Sequence, residues 1–288
     1  MSEPVRHALI LEGGAMRGLF TCGVIDVFME EGIVFDAAIG VSAGAVFGSN
    51  LKSHQHGRPL RYNTAYCRDR RYCSLWSLIT TGNLYGADFC YRILPDELDV
   101  FDRQTFAEDP MPFWVTATDT QTGRPVYHLC TDGGEEDITW MQASASMPLV
   151  SRPVHIDGRR LLDGGISDSI PFRFMEEQGY RRNVIVLTQP EDYRKKKSAA
   201  LPLMRMFMKK YPAIVQTMAE RHILYNMETE AIRSREAEGA AFVIRPQEAL
   251  NVGRVEKNPE KLKEAYAAGR KEALRRLPEL KEYLSHEA

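Results

Sequence analysis

Short apolar runs alternate with helical patterns in the first part of the chain. His7–Leu11 is typical of a buried strand, and a glycine-rich turn, Glu12–Gly18, follows it. Leu19–Glu31 predicts a helix, because its apolar residues recur at helical spacing. Phe35–Val41 predicts a second strand, and Ala43–Leu51 predicts a second helix that is rich in small residues. This order of elements is typical of a layered α/β fold with a parallel sheet.

The remainder of the chain continues the mixture of strands and helices. From about His54 to Gln104 the periodicity is weak, and we predict helical insertions and loops there. The further predicted strands are Phe113–Asp119, Arg124–Cys130, Val154–Ile156, Arg160–Leu162, Asn183–Gln189 and Ala241–Arg245. The further predicted helices are Ile170–Gln178, Leu201–Glu238 with a break at Pro212, and a last helix from Pro259 to about Leu277. Asp157 and Gly158 suit the tight turn of a hairpin, which we expect to deliver Asp163 at a strand end.

The composition narrows the class of protein. The 288 residues suffice for one large domain or for one domain with an appendage, and 44% hydrophobic with 26% charged residues is ordinary for a globular protein. A formal net charge of −2 gives no overall attraction to nucleic acid, so we expect no nucleic-acid partner. The five cysteines form no C-x-x-C pair, which argues against a disulfide framework and a zinc ribbon. Without a secretory segment or a stretch of about 18 apolar residues, we expect a soluble, cytoplasmic protein.

A G-x-S-x-G motif, Gly40 to Gly44, lies where the second predicted strand meets the second predicted helix. In a nucleophile elbow, small neighbours allow the serine to occupy a sharp turn that projects its hydroxyl above the sheet. Ser42 is therefore the candidate nucleophile, with Gly40 and Gly44 as supporting residues. The alternative is a tight turn in which Ser42 only caps the helix, but the position between strand and helix favours the nucleophile.

The glycine-rich turn before the first helix suits the binding of an anion. Successive unhindered N–H groups at a helix N-terminus can hold an oxyanion or a phosphate. Gly13–Gly18 is also one substitution away from the dinucleotide-binding fingerprint, with Glu30 or Glu31 as the acid for a ribose, so a nucleotide-binding module is the alternative from another class. Ala15 weakens that alternative, because it stands where the backbone must approach a pyrophosphate. Two such turns on consecutive strands favour a nucleophile with its oxyanion hole.

Asp163, followed by Gly164 and Gly165, is the candidate base. A serine hydroxyl is a poor nucleophile unless a neighbouring base takes its proton. In α/β-hydrolases the histidine follows the acid, and only His222 and His286 follow Asp163 in this chain. The first of these histidines falls inside a predicted helix and the second near the end of the chain. A Ser–His–Asp triad is therefore the weaker enzymatic interpretation.

As a set, and in this order, the motifs resemble those of the patatin-like phospholipases over roughly residues 7 to 190. That family has a glycine-rich oxyanion turn, a G-x-S-x-G elbow and a D-G-[GA] acid, with a Ser–Asp dyad and no histidine. Ala117–Asp119 with Gly123, and Ala143–Pro148, also look like the family. One departure is Ala15 at the third glycine of the turn. Alanine keeps the N–H donor, so we expect the oxyanion hole to survive unless this position needs a positive φ. The residues that match are Gly13, Gly14, Ala15, Met16, Arg17, Gly18, Gly40, Ser42, Gly44, Asp163, Gly164 and Gly165.

The resemblance implies a three-layer α/β fold, with a mostly parallel central sheet flanked by helices and a C-terminal helical extension. It implies a catalytic domain over residues 7–190 and a mainly helical part over residues 191–288 that completes this domain or is appended to it. The implied activity is hydrolysis of a lipid ester, of phospholipase A or lysophospholipase type, by Ser42 and Asp163 with an oxyanion hole from Gly13 to Met16. Arg17 is expected to hold the turn or to meet a lipid phosphate. No metal or organic cofactor is implied, and a catalytically silent member of the family is the remaining alternative.

A basic segment, residues 194–211, suggests how such a protein reaches a lipid. In a chain that is slightly acidic overall, no acidic residue occurs from Arg194 to Ala219. Four apolar residues of the segment recur at helical spacing, a pattern typical of a helix in a membrane interface. A stripe that faces the core is the commoner alternative. The apolar residues are Met204, Phe207, Met208 and Tyr211, and the basic residues are Arg194, Lys195, Lys196, Lys197, Arg205, Lys209 and Lys210.

Overall fold

The structure, a computed structural model, describes residues 6–285, so that His286 lies outside the described residues. The strands are His7–Leu11 (β1), Ala37–Val41 (β2), Phe113–Asp119 (β3), Pro125–Cys130 (β4), Val154–Ile156 (β5), Arg159–Asp163 (β6), Arg182–Val186 (β7) and Ala241–Ile244 (β8). The helices are Gly18–Glu30 (α1), Ala43–Lys52 (α2), Arg58–Tyr66 (α3), Leu75–Thr81 (α4), Arg103–Glu108 (α5), Glu135–Ser144 (α6), Phe172–Glu177 (α7), Leu201–Phe207 (α8), Pro212–Ala237 (α9) and Pro259–Ser285 (α10). A 3₁₀ turn, Ala15–Arg17, precedes α1, and a π-helical segment, Phe89–Leu98, lies between α4 and α5.

Within residues 6–285, the eight strands form one mostly parallel sheet. The strand order is β5-β6-β3-β2-β1-β7-β8, and β4 pairs with β3 beside this path. Strands β3, β2, β1, β7 and β8 run parallel, whereas β4 and β6 are antiparallel to β3. Because parallel strands end at the same edge, the turns after β1 and β2 lie side by side at the carboxyl edge of the sheet.

Both faces of the sheet are covered by helices. In β1 the side chains of Leu9 and Leu11 belong to the core on one face, and those of Ala8 and Ile10 belong to the core on the other. This division follows from the alternation of side chains along a strand. Residues of α1, α2 and α10 complete the first core, and residues of α7 and α9 complete the second. The predicted three-layer α/β fold is therefore confirmed.

The C-terminal part of the chain contributes to the same sheet and the same core. Strand β8 pairs with β7, and α10 packs against α1. The two helices touch backbone to backbone at two glycines. A β-carbon on Gly269 would lie 1.9 Å from the carbonyl oxygen of Phe20, and one on Gly23 would lie 2.1 Å from that of Tyr266. Larger residues at either position would force apart α10 and the helix that follows the glycine-rich turn.

Most predicted elements are confirmed with small shifts at their ends. Asp157 and Gly158 have φ angles of 49° and 73°, as the predicted tight hairpin turn requires. The predicted end of the last helix at Leu277 is wrong: α10 continues to Ser285, because the fully buried Leu280 anchors its final turns. Helix α6 was not predicted, because its buried residues include polar ones and the apolar pattern is therefore weak.

The apolar stripe predicted in the basic segment is divided by the end of a helix. Helix α8 ends at Phe207, so Met208 and Tyr211 do not continue its face. Met204 and Met208 are buried in the core, as the packing alternative requires, whereas Phe207 is 67% exposed. None of the helices that the structure describes combines the length and the apolar character that a membrane span needs.

Candidate active site

The turn after β2 holds Ser42 in a strained backbone conformation. Its φ is 55° and its ψ is −121°, which residues with a side chain rarely adopt. Gly40 and Gly44 make the turn feasible. A β-carbon on Gly40 would lie 2.4 Å from the carbonyl oxygen of Gly44, and one on Gly44 would lie 2.3 Å from that of Leu11. This strained turn places the serine hydroxyl at the N-terminus of α2, where the sequence predicts a nucleophile elbow.

The hydroxyl of Ser42 donates a hydrogen bond of 2.7 Å to Oδ2 of Asp163. The other carboxylate oxygen accepts a hydrogen bond of 2.8 Å from the N–H of Gly165. Asp163 is 6% exposed, and this burial raises the pKa of its carboxyl group, against the opposing effects of the Ser42 hydrogen bond and the charge of Arg221. A raised pKa makes the carboxylate a stronger base towards the hydroxyl that it contacts.

Asp163 reaches Ser42 across strand β3. On one side of β3, Thr116 pairs with Val41 of β2; on the other side, Ala117 pairs with Asp163 of β6. Gly164 permits this approach, because a β-carbon there would lie 2.2 Å from the carbonyl oxygen of Thr116. The predicted nucleophile and base therefore meet although 121 positions separate them in the chain.

Ser144, the last residue of α6, ties the serine turn to β3. Its hydroxyl accepts a hydrogen bond of 2.8 Å from the N–H of Ser42 and donates one of 2.6 Å to the carbonyl oxygen of Thr116. The side chain of Ser144 is fully buried, so this pair of hydrogen bonds is shielded from water. Ser144 lies in the family-like stretch Ala143–Pro148, but no local pattern of the sequence indicates its contact with Ser42 over 102 positions.

The glycine-rich turn after β1 lies beside the serine turn. A β-carbon on Gly13 would lie 2.8 Å from Cβ of Ser42, and one on Gly14 would lie 2.7 Å from Oγ1 of Thr188. Among residues 6–285, the N–H groups of Gly13, Gly14 and Ala15 find no backbone acceptor. The turn therefore offers free donors next to Ser42, as the predicted oxyanion hole requires.

The remaining residues of the glycine-rich turn, Met16 to Gly18, fix the turn against its neighbours. Met16 is buried, and Gly18 starts α1 where a β-carbon would lie 2.9 Å from Cβ of Ala43. Arg17 projects its side chain towards the cavity beside Ser42. The turn is thus packed on the same helix that begins at the candidate nucleophile.

Ala15 departs from the glycine that is usual at this point, and its φ is 50°. The left-handed region costs alanine about 1–2 kcal/mol more than it costs glycine, whereas glycine adds entropy to the unfolded chain. We therefore expect Ala15→Gly to raise the free energy of unfolding by about 0.5–1 kcal/mol, measured by urea denaturation. Ala45→Gly, inside α2, is the matched control and should lower it by a similar amount. A destabilised Ala15→Gly protein would contradict the strained geometry of the turn.

Two cavities meet at Ser42. One is lined mainly by apolar and aromatic side chains of α2, α3, the π-helical segment and α6. The other is lined by Asp163, the glycine-rich turn and several charged side chains. Ser42, Ala15 and Met147 line both cavities. An ester bound at Ser42 can therefore extend an apolar chain to one side and a polar group to the other.

The histidines within residues 6–285 lie away from this arrangement. Among the described residues that line either cavity there is no histidine. His222 lies on α9, and its buried Nδ1 has no hydrogen-bond partner within residues 6–285. His128 pairs with Asp137 instead, at 2.8 Å. The geometry therefore supports the two-residue interpretation over a triad.

One group of described residues has atoms close enough together to be considered as a metal site. The potential ligand atoms of His128, Cys130 and Asp137 lie within 4.8 Å of one another. The carboxylate of Asp137, however, already pairs with His128 and accepts the N–H groups of Thr131, Asp132 and Gly133. Burial also raises the pKa of the Cys130 thiol, which disfavours the thiolate that a metal needs. The three residues therefore fit a structural role, in which hydrogen bonds connect β4 to α6.

Three basic residues that line the polar cavity were not predicted to belong to the active site. Lys195 belongs to the basic segment, Arg221 lies on α9, and Arg254 lies in the loop before α10. Nε of Arg221 donates a hydrogen bond to the carbonyl oxygen of Gly165, two residues beyond the candidate base. Basic residues on helices and loops are common, so their spacing alone could not indicate that they converge here.

The patatin-like phospholipase family model matches residues 9–175, which is more than half of the chain. The protein therefore belongs to the patatin-like phospholipase family. A second family model, described as a domain of unknown function (DUF6363), matches residues 211–285.

Individual relatives are also similar to this chain. Uncharacterized protein YjjU of Escherichia coli is 32% identical over 194 residues, which is 65% of this chain and 53% of YjjU. Lysophospholipase nte1 of Aspergillus oryzae is 27% identical over 179 residues, which is 59% of this chain and 11% of nte1. The chain thus spans about half the length of the first relative and about a tenth of the second. Among solved structures, VipD from Legionella pneumophila gives a TM-score of 0.48 at 12% identity, over 96% of this chain and 68% of VipD.

Proposed function

We propose that the protein is a carboxylic ester hydrolase that cleaves lipid esters, of phospholipase A or lysophospholipase type, with a Ser42–Asp163 dyad. The observation that carries the proposal is the 2.7 Å hydrogen bond between the two side chains at the junction of an apolar and a polar cavity. Membership of the patatin-like phospholipase family supports the reaction class. The name of the Aspergillus oryzae relative, a lysophospholipase, supports the substrate class.

In the proposed reaction, the carboxylate of Asp163 accepts the proton of Ser42 while Oγ bonds to the ester carbonyl carbon. The carbonyl oxygen becomes an oxyanion. The N–H groups of Gly14 and Ala15 stabilise it, with Gly13 or Met16 as a further donor, and each donor is typically worth about 3–4 kcal/mol. The bond from the carbonyl carbon to the alcohol oxygen then breaks, and the alcohol leaves with the proton held by Asp163.

Water completes the reaction. It gives a proton to Asp163 and attacks the acyl group on Ser42, and the same donors stabilise the second oxyanion. The bond between Oγ and the acyl carbon then breaks, the carboxylic acid is released, and the proton returns from Asp163 to Ser42. The apolar cavity beside Ser42 is the proposed site of the acyl chain, because its walls offer apolar surface to a hydrocarbon.

Labelling with a fluorophosphonate probe tests the proposal directly. We expect the wild-type protein to form an adduct at Ser42, located by mass spectrometry of its peptides, and the Ser42→Ala protein to form none. An unlabelled wild-type protein would favour a catalytically silent family member. If the unlabelled protein also bound NAD, FAD or ATP in calorimetry, the nucleotide-binding alternative would replace the present one.

The surface next to the polar cavity is the proposed site of peripheral contact with a membrane. Leu203, Met206 and Phe207 of α8 are 46%, 55% and 67% exposed, while Ala200 and Met204 of the same region line the cavity. Exposed lysines lie on both sides of α8, and these are Lys196, Lys197, Lys209 and Lys210. An apolar helix face between basic residues suits the interface of an anionic bilayer.

We expect changing Lys196, Lys197, Lys209 and Lys210 to glutamine to weaken binding to anionic vesicles by at least about tenfold, because each basic group near such a surface adds about 1 kcal/mol. Co-sedimentation with vesicles at low and physiological salt measures the effect. The control variant changes four other exposed lysines to glutamine, which alters the net charge by the same amount. These lysines are Lys257, Lys263, Lys271 and Lys281. Equal binding by the two variants would rule out a membrane contact at this surface.

A further inference from the structure

The polar cavity beside Ser42 contains four basic side chains: Arg17, Lys195, Arg221 and Arg254. Within the part of the chain that the structure describes, none of the four forms an ion pair with a carboxylate, and the buried Nε of Arg17 has no hydrogen-bond partner. Like charges gathered in one cavity repel one another, so such a group is costly unless an anion joins it.

The two carboxylates that line the cavity, those of Glu12 and Asp163, offset these charges only in part, and their oxygens are hydrogen-bonded to other groups. Oε2 of Glu12 accepts the N–H of Thr188 at 2.6 Å, and Oε1 accepts the hydroxyl of Tyr225 at 2.7 Å. The carboxylate of Asp163 is bound to Ser42 and Gly165, as described above. The cavity therefore combines four basic side chains with two carboxylates, so basic groups are in excess.

Lys195 is held in the cavity by aromatic contacts instead of an ion pair. Its ammonium group lies 4.0 Å from the centre of the Tyr225 ring and 5.7 Å from that of Tyr193. Burial, reinforced by the charge of Arg221, lowers the pKa of Lys195 to about 7. An anion in the cavity would restore the full charge of this lysine, so binding of an anion and protonation of Lys195 favour each other.

We propose that this cluster binds the phosphate of the substrate's head group, and that the enzyme therefore prefers acyl esters whose head group carries a net negative charge. This inference rests on the proposed function. The preferred leaving group is a phosphate monoester such as glycerol 3-phosphate, whose oxygens can accept several charge-assisted hydrogen bonds. A choline head group is disfavoured, because its quaternary ammonium group would meet an excess of basic side chains.

The proposal also gives a role to the C-terminal part of the chain. Lys195, Arg221 and Arg254 all lie beyond the residues that match the patatin-like family, and the last two lie within the match to the domain of unknown function. In this protein, that domain supplies charge to the active-site cavity. Three of the four basic residues are thereby separated along the chain from the catalytic motifs, and Arg17 belongs to the glycine-rich turn.

Three water-soluble esters with the same acyl chain test the preference: hexanoyl glycerol, hexanoyl glycerol 3-phosphate and hexanoyl glycerophosphocholine. We expect the wild-type kcat/KM for the phosphate monoester to exceed that for the choline ester by at least about tenfold. Lys195→Gln and Arg254→Gln should each lower the ratio of kcat/KM for the phosphate monoester to that for hexanoyl glycerol by about tenfold, the size of one charge-assisted hydrogen bond. The matched control Lys257→Gln, at an exposed position three residues beyond Arg254, should keep the wild-type ratio.

The outcomes separate this inference from the proposed function. Hydrolysis of all three esters at equal rates, lost in Ser42→Ala, would overturn the head-group preference and leave the hydrolase in place. If no ester is hydrolysed, the proposed function fails. Calorimetry of hexanoyl glycerol 3-phosphate with the Ser42→Ala protein then still measures binding to the cavity. A Kd that is unchanged when Arg254→Gln is added would overturn the proposed phosphate site. Inorganic phosphate and glycerol 3-phosphate serve as inhibitors of hexanoyl glycerol hydrolysis. Equal inhibition by the two would indicate a site for free phosphate and would also overturn the head-group proposal.

Discussion

The Ser42→Ala protein is expected to hydrolyse a short-chain nitrophenyl ester with a kcat/KM at least about 10³-fold below that of the wild type, because loss of a serine nucleophile removes the covalent route entirely. Alanine retains the small volume that the turn after β2 demands. It also leaves the packing of Gly40 and Gly44 unchanged, so the variant should fold. Steady-state kinetics, together with circular dichroism and urea denaturation, measures both expectations.

Ser49→Ala is the matched control for the nucleophile. Ser49 lies on the same helix, is 2% exposed and lines the apolar cavity, but its hydroxyl only donates to the carbonyl oxygen of Val46. This variant should keep most of the wild-type rate. A Ser42→Ala protein with wild-type turnover would show that another residue is the nucleophile.

Asp163→Asn is expected to lower kcat/KM by about 10²–10⁴-fold, the usual contribution of a positioned general base. The amide retains the shape of the side chain and can still accept a hydrogen bond from the N–H of Gly165, so its effect isolates the loss of the base. His222→Ala and His286→Ala are the controls and should keep most of the rate. If either histidine variant lost activity while Asp163→Asn remained active, a triad would replace the dyad.

The pH dependence of the wild-type rate provides a second measurement of the same role. The base must be ionised to accept a proton, so kcat/KM should fall as the pH falls through the pKa of Asp163. Because burial raises this pKa, the midpoint should lie above the ordinary value for aspartate of about 3.9. A midpoint at or below that value on a neutral soluble ester would contradict the buried carboxylate as the base.

Much of the fold and the candidate site could be predicted from local sequence. The apolar residues of His7–Leu11 can only be buried on both faces of a sheet, and Asp157 and Gly158 tolerate the positive φ angles of their turn. The three glycine motifs mark positions where a β-carbon would collide with a neighbouring backbone. Such constraints act over a few residues, which is why the pattern of residue types indicates them. The family resemblance drawn from these motifs is confirmed by the family match, whereas the roles of Ser42 and Asp163 remain predictions.

Only the tertiary structure decided which distant side chains meet. Ser144 binds the serine turn from α6, and Lys195, Arg221 and Arg254 reach the cavity from a loop, a helix and a second loop. Only the structure shows that Ala15 has a positive φ, which is a strained backbone conformation for alanine. These contacts depend on how helices pack on the two faces of the sheet, and packing is set by the shape of the whole core. A lysine or serine has the same local pattern whether it faces solvent or the cavity, so its sequence neighbours cannot distinguish the two.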